Sequence, residues 1–296
     1  MQLGGVWYYP YTSRRDEITI AALGDLHLFN RGCALTKLTE DIATLRSQKK
    51  TIVLGMGDYA DYIAPGDPRF DPTILPDNMK IEELGHLGEV YVKAVKKVLK
   101  PVSYKLLGLL FGNHEWQYMN RHSQRNLHGW LCTEMSHLAG HEVPDLGYSC
   151  RIDVCFVRDP KAERPYVLTR KHPGGGTCET YRVRIYAHHG HGAARTSGGK
   201  LNTLIAKMYE FDADVYFMAH AHEGQDQDKP VMGTDKACKN LVEQRRVGVR
   251  TGAYLRAYAK GVTGYGEIKG YPPTCLGYRA VRISPDKRRV VGIELA

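Results

Sequence analysis

The sequence predicts an α/β fold built around a parallel sheet, and two observations lead to this prediction. Three short, continuously apolar runs are typical of buried strands, and they span residues 18–23, 51–56 and 103–111. Two intervening segments carry apolar side chains at helical spacing, and they span residues 35–45 and 84–98. An order of strand, helix, strand, helix and strand is typical of a parallel sheet with helices on its faces.

The later part of the chain is predicted to contain a proline-rich loop, further helices and a β-rich region. The predicted elements are a loop at residues 59–78, helices at 117–141 and 201–208, alternating strands from Tyr148 onward and a buried strand at 214–219. Residues 225–296 indicate strands and turns that close a second sheet. We therefore expect one domain over residues 1–296, with a helical insertion at about 116–141.

Five short segments rich in metal-ligating side chains interrupt this pattern. They are Gly24–His27, Gly57–Asp61, Gly112–Glu115, His188–His191 and His220–His222. Asp25, Asp58 and Asn113 each follow a predicted strand, and ligands of open α/β sheets gather beyond the carboxyl ends of the strands. Oxygen and imidazole ligands together suit Mn, Fe, Zn or Ni ions and not a thiolate zinc site. The segments therefore predict a metal centre at one edge of the sheet.

As a set, the five segments resemble the motifs of the calcineurin-like metallophosphoesterase superfamily, over about two-thirds of the chain. The resemblance implies a four-layer αββα sandwich of two mixed sheets flanked by helices, and a pair of divalent metal ions that hydrolyses phosphoesters. It implies that Asp58 bridges the two ions. On one ion Asp58 is joined by Asp25, His27 and His222, and on the other by Asn113, His220 and one of His188 or His189. Manganese is the metal that we favour.

Two further roles are carried over from the resemblance. His114 is implied to lie near the leaving group, where it acts as an acid or stabilises the transition state, and an imidazole suits this role because its ordinary pKa lies near neutrality. Asp61 is expected to orient a ligand or His114, although a carboxylate at a helix start is nearly as good an account of it. Between His188 and His189 we favour His189, because Gly190 frees the backbone after it for a close approach.

Charge and cysteine content restrict the partners and the compartment. The net charge of +9 favours an anionic substrate or partner. Seven cysteines without a Cys-x-x-Cys pair indicate reduced thiols, so a cytoplasmic location is expected. Neither a secretory signal nor a membrane-spanning apolar run is indicated by the sequence.

We therefore expect a metal-dependent phosphodiesterase acting on nucleic acid or nucleotides. Arg195 and Lys200 could contact phosphate oxygens, and three aromatic residues could stack on a base: Tyr59, Tyr62 and Trp116. A phosphomonoesterase for a small substrate is the alternative enzyme. A scaffold of the same fold without activity is a further alternative, although the intact ligand set argues against it.

Overall fold

Two facing sheets and six α-helices make up the described part of the chain. The computed structural model describes residues 1–293, except 68–69, 76–78, 124, 175–178, 193, 236 and 262. The strands are β1 (Gln2–Tyr11), β2 (Ile18–Leu23), β3 (Thr51–Gly55), β4 (Leu106–Leu109), β5 (Ser149–Arg158), β6 (Glu179–His188), β7 (Val215–Met218), β8 (Gln225–Thr234), β9 (Leu241–Arg250), β10 (Arg279–Ser284) and β11 (Arg289–Ile293). The helices are α1 (Leu35–Ser47), α2 (Leu87–Leu99), α3 (Asn113–His122), α4 (Leu127–Ala139), α5 (Ser197–Glu210) and α6 (Tyr265–Ile268).

Both sheets are mixed. One has the order β1-β5-β6-β7-β9-β8 and the other the order β11-β10-β2-β3-β4. Strands β2, β3 and β4 are parallel to one another, and β6, β7 and β9 form a second parallel set. Their carboxyl ends therefore meet at one edge of each sheet, which is where the ligand segments follow them.

The apolar runs are continuous because both faces of the central strands are buried. In β2, Ile20 and Ala22 pack in the core between the sheets, whereas Ala21 and Leu23 pack under the helices. The same alternation separates Ile52 from Val53 in β3. Helices α1, α2 and α4 cover the outer face of the five-stranded sheet, and α5 packs on the six-stranded one. The predicted four-layer arrangement of two mixed sheets flanked by helices is thus confirmed.

Three element predictions need correction. The strand predicted at 103–111 is only Leu106–Leu109, because a 3-10 helix occupies Lys100–Lys105. The helix predicted at 117–141 is two helices, of which α3 begins earlier, at Asn113. The segment 225–296 contributes to both sheets, since β8 and β9 join β7 whereas β10 pairs with β2.

Strand β1 was not predicted from the sequence, and it pairs in parallel with β5. The loop at 59–78 is largely irregular with one short 3-10 turn, while Pro68 and Pro76 lie outside the described residues. No helix in the part of the chain that the structure describes is long and apolar enough to span a bilayer.

Candidate metal centre

The five ligand segments meet between the carboxyl ends of the two parallel strand sets. Asp25 and Asp58 follow β2 and β3, and Asn113 opens α3 after β4. His189 and His220 follow β6 and β7 in the facing sheet. The loops are joined across the interface, because the backbone N–H of His220 donates to the Asp25 carboxylate at 2.9 Å. The sheets therefore bring together ligands that are up to 197 residues apart, from Asp25 to His222.

One group of candidate ligands consists of Asp25, His27 and His222, whose ligand atoms lie within 4.8 Å of one another. The two imidazole Nε2 atoms of His27 and His222 are 3.2 Å apart. The His222 Nε2 atom is also 3.4 Å from the Asp25 Oδ1 atom. Because His27 uses its Nδ1 for the Asp61 carboxylate at 2.7 Å, its Nε2 is turned toward the group.

A second group consists of Asp58, His189 and His220. The His189 Nε2 atom lies 3.2 Å from the Asp58 Oδ2 atom and 3.2 Å from the Asn113 Oδ1 atom. The other ring nitrogen of His189 donates to the Met56 carbonyl at 2.7 Å, so Nε2 is the ring atom that faces Asp58 and Asn113. Asp58 also belongs to a third group with His27 and His114, so it stands between the two sets.

Backbone strain is concentrated at these residues. Ten non-glycine residues of the described chain have a positive φ, and half of them are candidate ligands: Asp25, His27, Asp58, His220 and His222. Their φ values lie between 48° and 69°, in the left-handed region that residues with a Cβ rarely adopt. Each such residue costs about 1–3 kcal/mol and persists only where surrounding contacts fix it, which is typical of binding and catalytic sites.

Two motif glycines are required by the close approach of the loops. A Cβ on Gly112 would lie 2.0 Å from the Asp58 Oδ1 atom. Gly190 has a φ of 116°, and a Cβ there would lie 2.5 Å from the Ala219 carbonyl oxygen. Side chains at these positions would therefore separate the segments that carry the ligands.

Glu115 and Asp61 hold the site from behind. The buried Glu115 carboxylate accepts hydrogen bonds from the backbone N–H groups of Asp58, Tyr59 and Gly112 at 2.9, 2.7 and 2.8 Å. It thus fixes the two loops to each other. Asp61 orients the His27 ring and accepts a 2.6 Å hydrogen bond from the Asn30 side chain. The carboxylates of Asp61 and Glu115 therefore face their partners rather than the ligand groups.

The His114 ring is held at the mouth of the centre. Its Nδ1 lies 2.5 Å from the Asp61 carbonyl oxygen, to which an Nδ1–H donates. Its backbone N–H donates to the Asp58 Oδ1 atom at 2.9 Å. These contacts leave Nε2 as the ring atom of His114 that is available to a ligand.

Burial and neighbouring charges shift the pKa values of the carboxyl and imidazole groups in the centre. Burial disfavours ionised Asp58, but His189 and His114 outweigh burial and hold the pKa of its carboxyl well below the usual range. Burial lowers the pKa of His189, yet Asp58 outweighs it and raises that pKa to about 10. By contrast, burial and the neighbouring His189 lower the pKa of His220 to about 4. The imidazole of His220 is therefore neutral at physiological pH, as a metal ligand must be.

The donor set fits divalent cations. The Asp25 Oδ1 atom is buried without a hydrogen-bond partner, which is costly unless a cation contacts it. The two facing Nε2 atoms of His27 and His222 cannot both donate to each other, whereas both can bind one cation. Carboxylate, amide oxygen and imidazole donors suit Mn, Fe, Zn or Ni.

A cleft of about 360 Å³ opens over the centre. His27, His114, His220 and His222 form part of its floor. Its wall is formed by the segment after β6 and by the segment between β9 and β10, and basic residues line it: Arg195, Lys200, Arg250 and Arg256. This volume is at the lower end of the range of small-molecule sites.

Comparison with known proteins gives matches among solved structures only. No protein-family model matches the chain, and no curated protein matches it. A structure of Vps29 complexed with zinc from Entamoeba histolytica is 12% identical, with a TM-score of 0.40 over 90% of this chain and 87% of that chain. A metallophosphoesterase from Sphaerobacter thermophilus is 14% identical, with a TM-score of 0.37 over 95% and 90% of the two chains. A protein from Streptococcus pneumoniae TIGR4, described as a "predicted phosphoesterase", is 12% identical, with a TM-score of 0.31 over 90% and 84%.

The described residues form the four-layer arrangement that the motif resemblance implied, and the five segments meet between its two facing mixed sheets. Identities of 12–14% and TM-scores of 0.31–0.40 say nothing about substrate. Substrate and activity are therefore inferred from this chain's own residues.

The structure separates the two neighbouring histidines of the fourth segment. His189 is fully buried within the second ligand group. His188 lies outside the three groups, with its ring against Tyr148 and His191, and its Nδ1 accepts a hydrogen bond from the Gly190 N–H. His191 is exposed and lines the cleft.

The expectation that Tyr59 and Tyr62 stack on a base is wrong. Tyr59 is fully buried and its hydroxyl donates to the Leu110 carbonyl, while Tyr62 packs against Tyr91 and Tyr118 in the core. Trp116 is 51% exposed, but it is not among the residues that line the cleft. The expectation rested on the proximity of these rings to the candidate ligands in sequence, whereas the fold turns the two tyrosines inward.

Several cleft residues were missed by reasoning from the sequence. Arg250 is fully buried at the carboxyl end of β9, and it donates to the Lys200 carbonyl and to the Thr203 hydroxyl. Tyr271 and Arg256 come from the segment between β9 and β10, where the sequence contains no ligand cluster. The position of Arg250 in the cleft follows from the parallel pairing of β9 with β7, which a local pattern does not predict. No local pattern in the sequence places Tyr271 in the cleft.

Proposed function

We propose that this protein is a metal-dependent phosphoester hydrolase with a two-metal centre. The observation that carries the proposal is the convergence of two ligand groups on a cleft, with Asp58 standing between them. In this proposal Asp25, His27 and His222 share one ion with Asp58. Asn113, His189 and His220 share the other with it. His188 is left out of the proposed ligand set because its ring lies outside both groups.

A pair of divalent cations held about 3.5–4 Å apart offsets the charge of a phosphate ester and lowers the pKa of a bound water. The protein's own part is to hold the donor atoms in advance. Glu115 fixes the backbone on either side of Asp58, and Asp61 fixes the ring of His27. Donors that are already ordered lose little conformational freedom when the cations bind.

His114 is proposed as the proton donor to the leaving group. With its Nδ1–H committed to the Asp61 carbonyl, the proton that it can transfer is the one on Nε2. Transfer of that proton neutralises the leaving oxygen, and solvent at the open cleft supplies the proton that replaces it. The grouping of His114 with His27 and Asp58 makes a ligand role the competing account, which metal analysis of a variant distinguishes.

A diester of nucleotide size is the substrate class that we propose. The basic lining residues supply positive charge for non-bridging phosphate oxygens. Of these, Lys200 is held by Glu223 at 2.8 Å, whereas Arg195 forms no ion pair with a carboxylate of the described residues. A cleft of about 360 Å³ favours a nucleotide or the end of a nucleic acid over a long duplex.

The test compares two chromogenic substrates after complete removal of metal. We expect hydrolysis of bis-p-nitrophenyl phosphate to be absent in chelator and restored by Mn, with p-nitrophenyl phosphate turned over more slowly. Faster turnover of p-nitrophenyl phosphate would support the phosphomonoesterase instead. Full activity in protein shown by metal analysis to be metal-free would refute the metal centre. No turnover of either ester with any of Mn, Fe, Zn or Ni would support the scaffold.

A further inference from the structure

The cleft wall carries an aromatic ring next to an exposed guanidinium. The guanidinium carbon of Arg195 lies 5.9 Å from the centroid of the Tyr271 ring, which is within cation–π range. The two residues come from different parts of the fold, because Arg195 follows β6 and Tyr271 precedes β10. Both line the cleft that contains the candidate metal ligands. They therefore meet only because the tertiary structure closes one segment over the other.

The cleft that contains this pair is lined in part by small apolar residues. Ala194, Ala257, Ala259 and Pro272 line the same cleft. The Tyr271 backbone is held in place, since its carbonyl accepts a 2.9 Å hydrogen bond from the Tyr258 hydroxyl. Tyr271 itself is only partly buried. The wall thus presents an aromatic ring beside an exposed guanidinium.

We propose that Arg195 and Tyr271 form a subsite for the nucleobase of the substrate. The inference rests on the proposed function and narrows its substrate to phosphodiesters that carry a nucleoside. A base is planar, so it can stack on the phenol ring while the guanidinium covers its other face or its edge. The phosphate of the same nucleotide then reaches the centre on the cleft floor. An alkyl ester has no planar ring that could stack on Tyr271.

The kinetic test uses two esters with the same leaving group, thymidine 5′-(p-nitrophenyl) phosphate and methyl p-nitrophenyl phosphate. The quantity measured is the ratio of their kcat/KM values. In Tyr271→Ala we expect this ratio to fall roughly 5- to 150-fold, since stacking of one base is worth about 1–3 kcal/mol. The loss should lie in KM for the thymidine ester. Tyr271→Phe keeps the ring and should keep the ratio.

Tyr209→Ala is the matched control. Tyr209 also has a cation over its ring, from Lys229, but it is 70% exposed on α5 and does not line the cleft. This variant should keep the wild-type ratio. An unchanged ratio in Tyr271→Ala, or an equal fall in Tyr271→Phe, would overturn the nucleobase subsite. If Arg195→Ala lowers kcat/KM for both esters equally, Arg195 acts on the phosphate alone and the paired subsite is wrong.

A binding experiment separates this inference from the proposed chemistry. Calorimetry in metal-free buffer measures thymidine 5′-monophosphate against methyl phosphate, with no hydrolysis needed. We expect the nucleotide to bind more tightly than methyl phosphate to the wild-type protein, and Tyr271→Ala to remove this preference. A preference for thymidine 5′-monophosphate in a protein without any esterase activity would refute the proposed function and support the subsite. Equal binding of the two ligands by the wild-type protein would refute the subsite, whatever the esterase activity.

Discussion

Glu115→Gln should destabilise the protein through the two loops that carry Asp58 and Asn113. The Glu115 carboxylate accepts three backbone N–H groups, two at Oε2 and one at Oε1. A glutamine has one oxygen, so it can satisfy the N–H groups of Asp58 and Gly112 only by turning its amide NH₂ toward the N–H of Tyr59. One buried donor is then left unpaired, and two charge-assisted hydrogen bonds become neutral.

The size of the effect follows from these three bonds. An unpaired buried N–H costs about 1–3 kcal/mol, and each weakened bond costs about 1 kcal/mol more. Part of this loss is offset, because burial and the nearby Asp58 disfavour the ionised form of Glu115 and so raise its pKa. A neutral glutamine avoids this unfavourable charge. The net loss in free energy of unfolding should be about 2–4 kcal/mol, which corresponds to a fall in Tm of roughly 3–6 °C for a chain of 296 residues.

The assay is thermal unfolding in chelator, so that metal binding does not contribute, followed by metal analysis of reloaded protein. Glu134→Gln is the matched control, because Glu134 pairs with Lys96 on the surface and such pairs contribute little. We expect Glu115→Gln alone to unfold earlier and to hold less metal. If both variants unfold at the wild-type temperature, the loops are not held by Glu115 and the reasoning is refuted.

Four further predictions concern the centre, the substrate and pH. Asp58→Asn should lower both metal content and turnover, because one residue serves two ions, and loss of turnover at full metal content would contradict a bridging role. His114→Ala should keep both metals and lower turnover roughly 10²–10⁴-fold, and loss of one metal would make it a ligand. If the substrate is a polynucleotide, binding of a short single strand to Asn113→Ala should weaken steeply from low to physiological salt, since neutralised phosphates release cations. Burial raises the pKa of Asp16, but hydrogen bonds from Lys50 and nearby groups outweigh it and lower that pKa. The ionised Asp16 carboxylate therefore contributes fully to the free energy of unfolding above the unfolded carboxyl pKa of about 3.9. This contribution is lost as pH falls through the lower pKa of the folded state. Asp16→Asn should remove that part of the acid dependence of stability, measured by denaturant unfolding across pH.

Most of the five-stranded sheet that carries Asp25, Asp58 and Asn113 could be predicted from local sequence. Strands β2 and β3 and helix α1 were predicted close to their observed bounds, because a central parallel strand is apolar on both faces and a covering helix on one. The ligand positions were predictable for the same reason. Parallel strands place their carboxyl ends at one edge, so Asp25, Asp58 and Asn113 had to lie close together.

Other features were decided only by the tertiary structure. The sequence left His188 and His189 as alternatives, and it is the hydrogen bond from His189 to the Met56 carbonyl that turns this ring inward. Tyr59 and Tyr62 lie beside ligand residues in sequence, yet the turn after β3 directs both into the core. The Arg195–Tyr271 contact joins segments 76 positions apart. The periodicity of apolar residues predicts which side of a single helix or strand is buried. The residues that line a cleft depend instead on which loops meet there. Here that is determined by the packing of two sheets whose strands are distant in sequence.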